Sequence, residues 1–282
     1  GSLTVREIAA EVARHPGFLG SREGGLRAIF DSSWSRLGPE ERRALAALSV
    51  FVGGCTREAA EAVAGASIDR LRRLVDTSFV RHEPSGRYTV HEVLRRFAQD
   101  ELATDPAALE RARAAHATYL AERLGSLSSG AVGISQREIL DEIGLELDNL
   151  QVAWRWAVAA ARADLVEAFL GSLQTYAEAR GWLRAAEALL GEALVRFGAD
   201  GAGLAVALLT ARGSLRNRMG AYAAAVEDLD RALALVEGAQ PRAAALAHLG
   251  ATAYLQGRHG EARERLERAM EEIGRASCRE RV

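Results

Sequence analysis

Apolar residues recur at helical intervals along most of the chain. Between residues 143 and 157 the apolar positions are three or four residues apart, which places them on one face of a helix. They are Ile143, Leu147, Leu150, Trp154 and Ala157. From Pro106 onward the pattern stays helical and is interrupted mainly at 126–133, where serine and glycine predict a loop. The pattern therefore predicts a mainly α protein.

One segment breaks the helical pattern. Residues 79–82 alternate apolar and polar side chains as a strand does, and residues 83–86 read Glu-Pro-Ser-Gly, which is a turn sequence. A short β-hairpin is therefore predicted over 79–90. Thr56 and Ser67 are predicted N-caps of the two helices that precede it. The predicted helices around the hairpin span 26–37, 39–51, 57–63, 68–77 and 92–102, and this is the element order of a winged helix.

The second half of the chain contains an internal repeat. Segments that begin at Gly181, Gly220 and Gly257 share a pattern of small and aliphatic residues and lie 39 and 37 residues apart. These intervals are close to a unit of about 34 residues that forms a helix pair. Gly213 and Gly250 stand where a small residue permits close helix packing, and the segment resembles tetratricopeptide (TPR) repeats. Gln174 at this position marks the first unit as degenerate or capping.

Several short segments in the first half occur in an order typical of one family. They lie at 31–41, 48–56, 71–80, 113–120 and 145–154, with the triplet Val90-His91-Glu92 after the hairpin. Together they resemble bacterial STAND (NB-ARC-like) ATPase regulators of the LuxR/AfsR-like type. In that family a Met-His-Asp-like triplet follows the wing, and its histidine meets the β-phosphate of ADP. The resemblance implies this sensor role for His91, although Val90 and Glu92 replace the usual residues.

The chemistry of the residues leaves a second interpretation of His91 open. A partly buried histidine, hydrogen-bonded where a strand meets a helix, needs no ligand. Glu92, at the helix start, is interpreted as a cap that complements the helix dipole.

Together the patterns predict five parts. Residues 1–25 are predicted to end the helical domain of an ATPase module, and 26–104 to form a winged-helix domain. Residues 105–165 are predicted to be a helical linker, and 166–274 to be TPR-like repeats. Residues 275–282 leave the preceding register and are expected to be a non-native tail.

Composition narrows the chemistry that the chain supports. All 36 basic residues are arginine, so a G-x-x-x-x-G-K-[ST] loop that binds nucleotide phosphates is absent from this sequence, as is any lysine nucleophile. The histidines lack metal-ligand spacing, and we expect no metal, no cofactor in this fragment and no enzyme activity. Two cysteines far apart and the lack of a long apolar segment predict a cytoplasmic protein without membrane contact.

Arg70, Arg72 and Arg73 lie on the helix that a DNA-reading winged helix would insert into the major groove. Five arginines stand against three carboxylates over 67–90, and the net charge of the chain is −2. Because DNA contact requires many neutralised phosphates, a solvated or interdomain face is the preferred interpretation of this helix. DNA binding by the winged helix, with the repeats serving dimerisation or partner recruitment, is the alternative.

The first helices of the repeats supply the candidate partner site. Asn217, Arg218 and Tyr254 are predicted to face the groove and to bind a protein or a small inducer. The sequence thus predicts the regulatory and sensor portion of a STAND-type transcriptional regulator. ADP or ATP and the ATPase domain are implied for the full-length protein, and DNA contact for a separate effector domain. A plain TPR scaffold is the third hypothesis.

Overall fold

The computed structural model describes residue 30 and residues 33–128, 135–198 and 202–279. Within them the first half contains α1 (Pro39–Leu48), α2 (Arg57–Ala64), α3 (Ile68–Asp76), β1 (Val80–His82), β2 (Tyr88–Val90) and α4 (Glu92–Ala103). Then follow α5 (Pro106–Ser128), α6 (Gln136–Leu145), α7 (Leu147–Ala159), α8 (Ala163–Arg180) and α9 (Leu183–Phe197). The last helices are α10 (Ala202–Arg218), α11 (Tyr222–Leu235), α12 (Ala239–Leu255) and α13 (His259–Arg279).

The described residues form two compact units. The hairpin unit extends to Leu120 and includes Glu146–Ala153, and the repeat unit comprises Ala121–Leu145 and the residues from Trp154 onward. The segment 105–165, predicted as a linker, therefore contributes residues to both units. The predicted helical-domain end at 1–25 lies outside the described residues, as does most of the loop predicted at 126–133.

In the hairpin unit, local sequence signals fix the helix ends. The Thr56 hydroxyl accepts a hydrogen bond from Ala59 N at 3.2 Å, and the Ser67 hydroxyl accepts one from Arg70 N at 3.4 Å. Both N-caps were predicted, because a side-chain oxygen at this position satisfies a free helical N–H. The strands pair antiparallel with Val80 opposite Val90 and His82 opposite Tyr88. Their apolar faces join a core that includes Leu45, Leu48, Leu71, Leu74 and Phe97.

In the repeat unit, the helices form three pairs, α8–α9, α10–α11 and α12–α13. The turn inside each pair uses a glycine in the left-handed region, with φ of 74° at Gly181, 76° at Gly220 and 77° at Gly257. Side chains other than glycine are strained at such angles, so the recurring glycines mark the turns. Helix α13 continues to Arg279, within the segment 275–282 that was expected to leave the helical register.

Close packing explains the small residue in the first helix of the second and third pairs. A Cβ atom added to Gly213 would lie 2.8 Å from Leu229 Cγ, and one added to Gly250 would lie 2.8 Å from Leu266 Cγ. In the first pair Gln174 takes this position, and its amide donates to Glu178 Oε1 at 2.9 Å. The predicted fold class, mainly α with a short hairpin followed by a solenoid of helix pairs, is confirmed.

Candidate functional site

His91 lies between β2 and α4 and caps that helix. Its Nδ1 accepts a hydrogen bond from Val93 N at 3.3 Å. In a neutral imidazole with Nδ1 as the acceptor, the proton resides on Nε2. Among the described residues Nε2 has no hydrogen-bond partner, and the side chain is half-buried. The geometry thus makes His91 a structural cap whose second ring nitrogen has no partner among the described residues.

Glu92, the acid of the predicted triplet, binds within its own helix. Its carboxylate accepts hydrogen bonds from Arg95 Nε at 2.8 Å and from Arg96 Nε at 2.9 Å. The hydrogen bond from Arg95 is the main reason that the pKa of Glu92 lies below its usual value. A carboxylate held in its charged form in this way is a weak proton acceptor, and it complements the dipole at the start of α4.

The arginines of α3 are largely neutralised by α1. Arg70 Nη2 lies 3.1 Å from Glu40 Oε2, and Arg73 Nη1 lies 2.7 Å from Glu41 Oε1. Arg72, between them in sequence, is exposed. Because two of the three guanidinium groups already have carboxylate partners, this face offers little free positive charge to a phosphate backbone.

Sequence reasoning assigned no role to Asn149, which is fully buried at the start of α7. Its Oδ1 accepts a hydrogen bond from Val52 N at 3.0 Å. Its Nδ2 donates to Gly54 O at 3.0 Å and to Glu146 Oε2 at 2.7 Å. One amide side chain thereby holds both ends of the loop 52–54.

Arg87, on the hairpin, completes this cluster. Its Nη1 lies 2.5 Å from Glu146 Oε1, and its Nη2 donates to Gly54 O at 2.9 Å. Both charged side chains are mostly buried, with 11% of Arg87 and 15% of Glu146 exposed. The hairpin, the loop 52–54 and the start of α7 are therefore joined by charge-assisted hydrogen bonds. A carboxylate and an amide, three residues apart in an apolar segment, are the sequence signal that could have indicated this cluster.

His116 and Cys55 are the buried titratable groups nearest to this cluster. The His116 ring meets Phe51 edge to face, with the centroids 4.8 Å apart, and its Nε2 has no partner in the described structure. Burial lowers the pKa of His116 to about 4, against a smaller opposing effect of a hydrogen bond with Asn149. Burial likewise raises the pKa of the Cys55 thiol to about 12. Both groups are therefore neutral at physiological pH.

The first helices of the three pairs form one surface, because α10 packs against both α8 and α12. We call the exposed side of these helices the first-helix surface. Arg218 is exposed there and donates from Nη2 to Glu178 O at 3.2 Å. Tyr254 is 62% exposed, and its ring centroid lies 5.3 Å from that of His259. Two of the three predicted partner-binding side chains are thus open to solvent.

Asn217 differs from the sequence-based expectation that it faces the groove. Only 7% of this residue is exposed, and its Nδ2 donates to His248 O at 3.3 Å. Its Oδ1 accepts a hydrogen bond from Thr252 Oγ1 at 2.8 Å. Because its amide is used on both sides, Asn217 joins α10 to α12, and in this structure it is an interhelical packing residue.

A charge network around the buried Asp228, inside the repeat unit, was also not predicted. Asp228 is 2% exposed and binds Arg212 through two hydrogen bonds of 2.6 and 2.8 Å. Arg216 Nη1 reaches the same carboxylate at 2.9 Å, while its Nε binds Glu187 at 2.8 Å. Four charges from α9, α10 and α11 therefore compensate one another, which permits the burial of Asp228.

The described residues contain neither a candidate metal site nor a candidate membrane-spanning helix. No group of three or more histidine, cysteine, aspartate or glutamate side chains there could hold a metal ion. Each described helix is also too short or too polar to cross a lipid bilayer.

Comparison with known proteins finds relatives that are named as transcriptional regulators. No family model matches the chain. It is 33% identical over 146 residues to proteins of Mycobacterium bovis and Mycobacterium tuberculosis that are provisionally named HTH-type transcriptional regulators. The match covers 48% of this chain and 16% of the relatives, so the chain spans only a small part of their length.

A solved structure also shows a weak likeness. It is a STAND protein with a TPR sensor from Pyrococcus horikoshii, matched with a TM-score of 0.34 and 14% sequence identity. The match covers 90% of this chain and 53% of that chain. A likeness at this level does not establish a shared fold. The similarity that bears on function is therefore that to the mycobacterial regulators.

Proposed function

We propose that this chain is the regulatory and sensor part of a STAND-type transcriptional regulator that acts in the cytoplasm. The first-helix surface binds a protein or a small inducer. The hairpin unit acts as a winged helix that responds to the nucleotide bound by an ATPase domain elsewhere in the protein. DNA contact belongs to a separate effector domain. The similarity to provisionally named transcriptional regulators supports the regulatory part of this proposal.

The observation that carries the nucleotide part is the geometry of His91. Its Nδ1 is occupied by the cap on α4, so the remaining donor is Nε2–H. ADP would supply the negatively charged phosphate oxygens that such a donor binds, and a hydrogen bond to an anion is stronger than one to a neutral acceptor. His91 would hold the hairpin unit in the ADP-bound arrangement. The chain has no lysine, so the main phosphate contacts must come from the ATPase domain.

The sensor part of the proposal is supported by the solvent exposure of Arg218 and Tyr254. Both are exposed side chains with large contact areas, and both lie on helices held rigidly by buried packing. Arginine and tyrosine are enriched among the residues that dominate binding energy at protein interfaces. The first-helix surface therefore combines a fixed scaffold with side chains suited to a partner.

The sensor part is tested by photo-crosslinking the purified chain in an extract of cells that naturally express it. We expect a partner to be captured by the wild-type chain and lost in the double variant Arg218→Glu, Tyr254→Ala. Since both side chains are exposed, the melting temperature of that variant should change by less than about 2 °C. The matched control is Arg72→Glu, an exposed arginine of the hairpin unit, which should capture the partner normally.

Equal capture by the wild-type chain and the double variant contradicts this assignment of the sensor surface. A fall in melting temperature beyond that of the control would instead make Arg218 and Tyr254 packing residues. The partner site would then have to lie on the exposed sides of α5 to α7.

A further inference from the structure

The outer face of α13 differs from the equivalent faces of the two preceding pairs. The repeat intervals of 39 and 37 residues relate Leu190, Leu229 and Leu266, and likewise Phe197, Val236 and Ile273. In the first two pairs these positions are buried, at 0% for both leucines, 7% for Phe197 and 6% for Val236. In the third pair Leu266 is 42% exposed and Ile273 is 55% exposed.

The equivalent residues at an intermediate position, Leu194, Leu233 and Met270, differ in exposure in the same way. Leu194 and Leu233 are partly buried, and both pack against a cluster of buried aliphatic side chains. The equivalent residue in the third pair is Met270, which is 71% exposed. Leu266, Met270 and Ile273 are spaced by four and three residues, so they form one apolar row along α13. We call this row the α13 face.

The two preceding pairs show what covers such a face. Helix α9 packs on α10, and α11 packs on α12, so each second helix is covered by the first helix of the next pair. The shared cluster contains Val206 and Leu209 from α10 and Ala245 from α12. A covering helix therefore presents small or branched aliphatic residues to the row.

We propose that the α13 face is the docking surface for the first helix of a further repeat pair, belonging to the same longer polypeptide and having the contact chemistry of α10 and α12. The inference rests on the repeat geometry and not on the proposed function. The regulators to which this chain is similar are several times longer than the matched segment, which leaves room for such a pair.

A second copy of this chain is a less suitable occupant. Three exposed side chains in one helix offer far less area than the roughly 1,200 Å² that a stable interface buries. The row is also bordered by exposed charges of both signs, including Glu267, Arg268 and Glu271. Continuation of the intrachain stacking requires no such large area, because each pair is held by its neighbours in the same polypeptide.

The test extends the chain by one helix. Gly274 is equivalent to Glu237, so a copy of residues 238–256 attached directly after Gly274 places a second α12 sequence at the spacing that α12 has after α11. The matched control carries Ala245→Glu and Leu246→Glu in the appended copy only. Hydrogen exchange of α8 to α11 verifies that the rest of the repeat unit is unchanged.

Methionine oxidation provides the readout, because the chain has two methionines and the appended segment has none. Met219 is the internal reference, and peroxide oxidation of Met270 is followed by mass spectrometry. We expect the extension to slow Met270 oxidation about tenfold relative to Met219, since sulfoxide formation follows exposure. The control extension should leave Met270 as reactive as in the original chain.

Two results overturn the proposal. One is an extended chain in which Met270 oxidises at the original rate, whether the appended helix is unfolded or folded elsewhere. The other is a dimer of the original chain in sedimentation, with Met270 protected and both effects abolished by Ile273→Glu. That result would make a second copy the occupant.

Discussion

Arg87 Nη1 and Glu146 Oε1 lie 2.5 Å apart although the two residues are separated by 59 positions in the sequence. The pair joins the turn side of the hairpin to the residue that precedes α7, and Asn149 binds the same glutamate. Because the two charges are largely removed from water, their pairing compensates part of the cost of burying them. The pair therefore fixes the hairpin to the start of α7.

Glu146→Gln should destabilise the hairpin unit by about 3 kcal/mol, since it removes a carboxylate charge that lies 2.5 Å from the mostly buried Arg87 guanidinium. This loss is measured by urea denaturation, with hydrogen exchange used to monitor unfolding of the hairpin unit. The control is Arg96→Gln, which removes one side of an exposed ion pair with Glu92 and should change stability by less than about 0.5 kcal/mol. If the two substitutions lowered the free energy of unfolding equally, the buried Arg87–Glu146 pair would contribute no more to stability than an exposed pair.

His116 should make the stability of the hairpin unit depend on pH. Its pKa falls to about 4 in the folded chain from an ordinary value of 6.5. The unfolded state therefore binds the proton first, so stability is complete above about pH 6.5 and is lost as pH falls toward 4. The lowered pKa corresponds to a loss of about 3 kcal/mol across that window.

Substitution of His116 by leucine isolates this effect. His116→Leu should cost about 1 kcal/mol at pH 7, because it removes the hydrogen bond with Asn149 while Nε2 has no partner in the described structure, and it should flatten the stability profile between pH 6.5 and 4. Denaturation midpoints at several pH values provide the measurement. His82→Leu, at an exposed histidine of the hairpin, is the control. A profile that stays as steep in His116→Leu would assign the acid sensitivity to other groups.

Alanine should lower stability more at Gly213 than at Gly250. Gly213→Ala forces a Cβ against Leu229, which is 0% exposed and cannot move away, so a loss of about 2 kcal/mol is expected. Gly250→Ala meets Leu266, which is 42% exposed and can rotate outward, so the loss should be smaller. Gly171→Ala, with no atom within 4 Å, should stabilise α8 by up to about 1 kcal/mol. Thermal unfolding of the three variants decides whether this order holds.

Local signals explain which parts of the fold were predictable. Thr56 and Ser67 cap helices within three residues of themselves, and the turn at 83–86 connects strands that are adjacent in sequence. The repeat was visible because Gly213 and Gly250 serve the same packing contact twice. Each of these features depends on residues close in sequence or on a pattern that recurs.

Pairing between distant residues explains what the sequence did not reveal. Asn217 was expected to face a partner, but its acceptor oxygen is used by Thr252, which lies 35 positions away. The compensation of Arg212 by Asp228 and the pairing of Arg73 with Glu41 likewise depend on how helices are placed against each other. The sequence alone does not show whether a polar residue on a helix faces solvent or a buried partner, because that depends on which helices pack beside it.

The rate of ADP release from the longer protein, which we propose contains an ATPase domain, tests the central claim most directly, in variants that separate the two roles of His91. Asparagine is also an effective N-cap, so His91→Asn keeps the cap on α4 and removes the imidazole donor, whereas His91→Ala removes both. We predict that ADP dissociates about tenfold faster in both variants, while the melting temperature falls only in His91→Ala. His82→Asn should release ADP at the wild-type rate. Wild-type ADP release in His91→Asn would contradict the account and leave His91 as a helix cap alone.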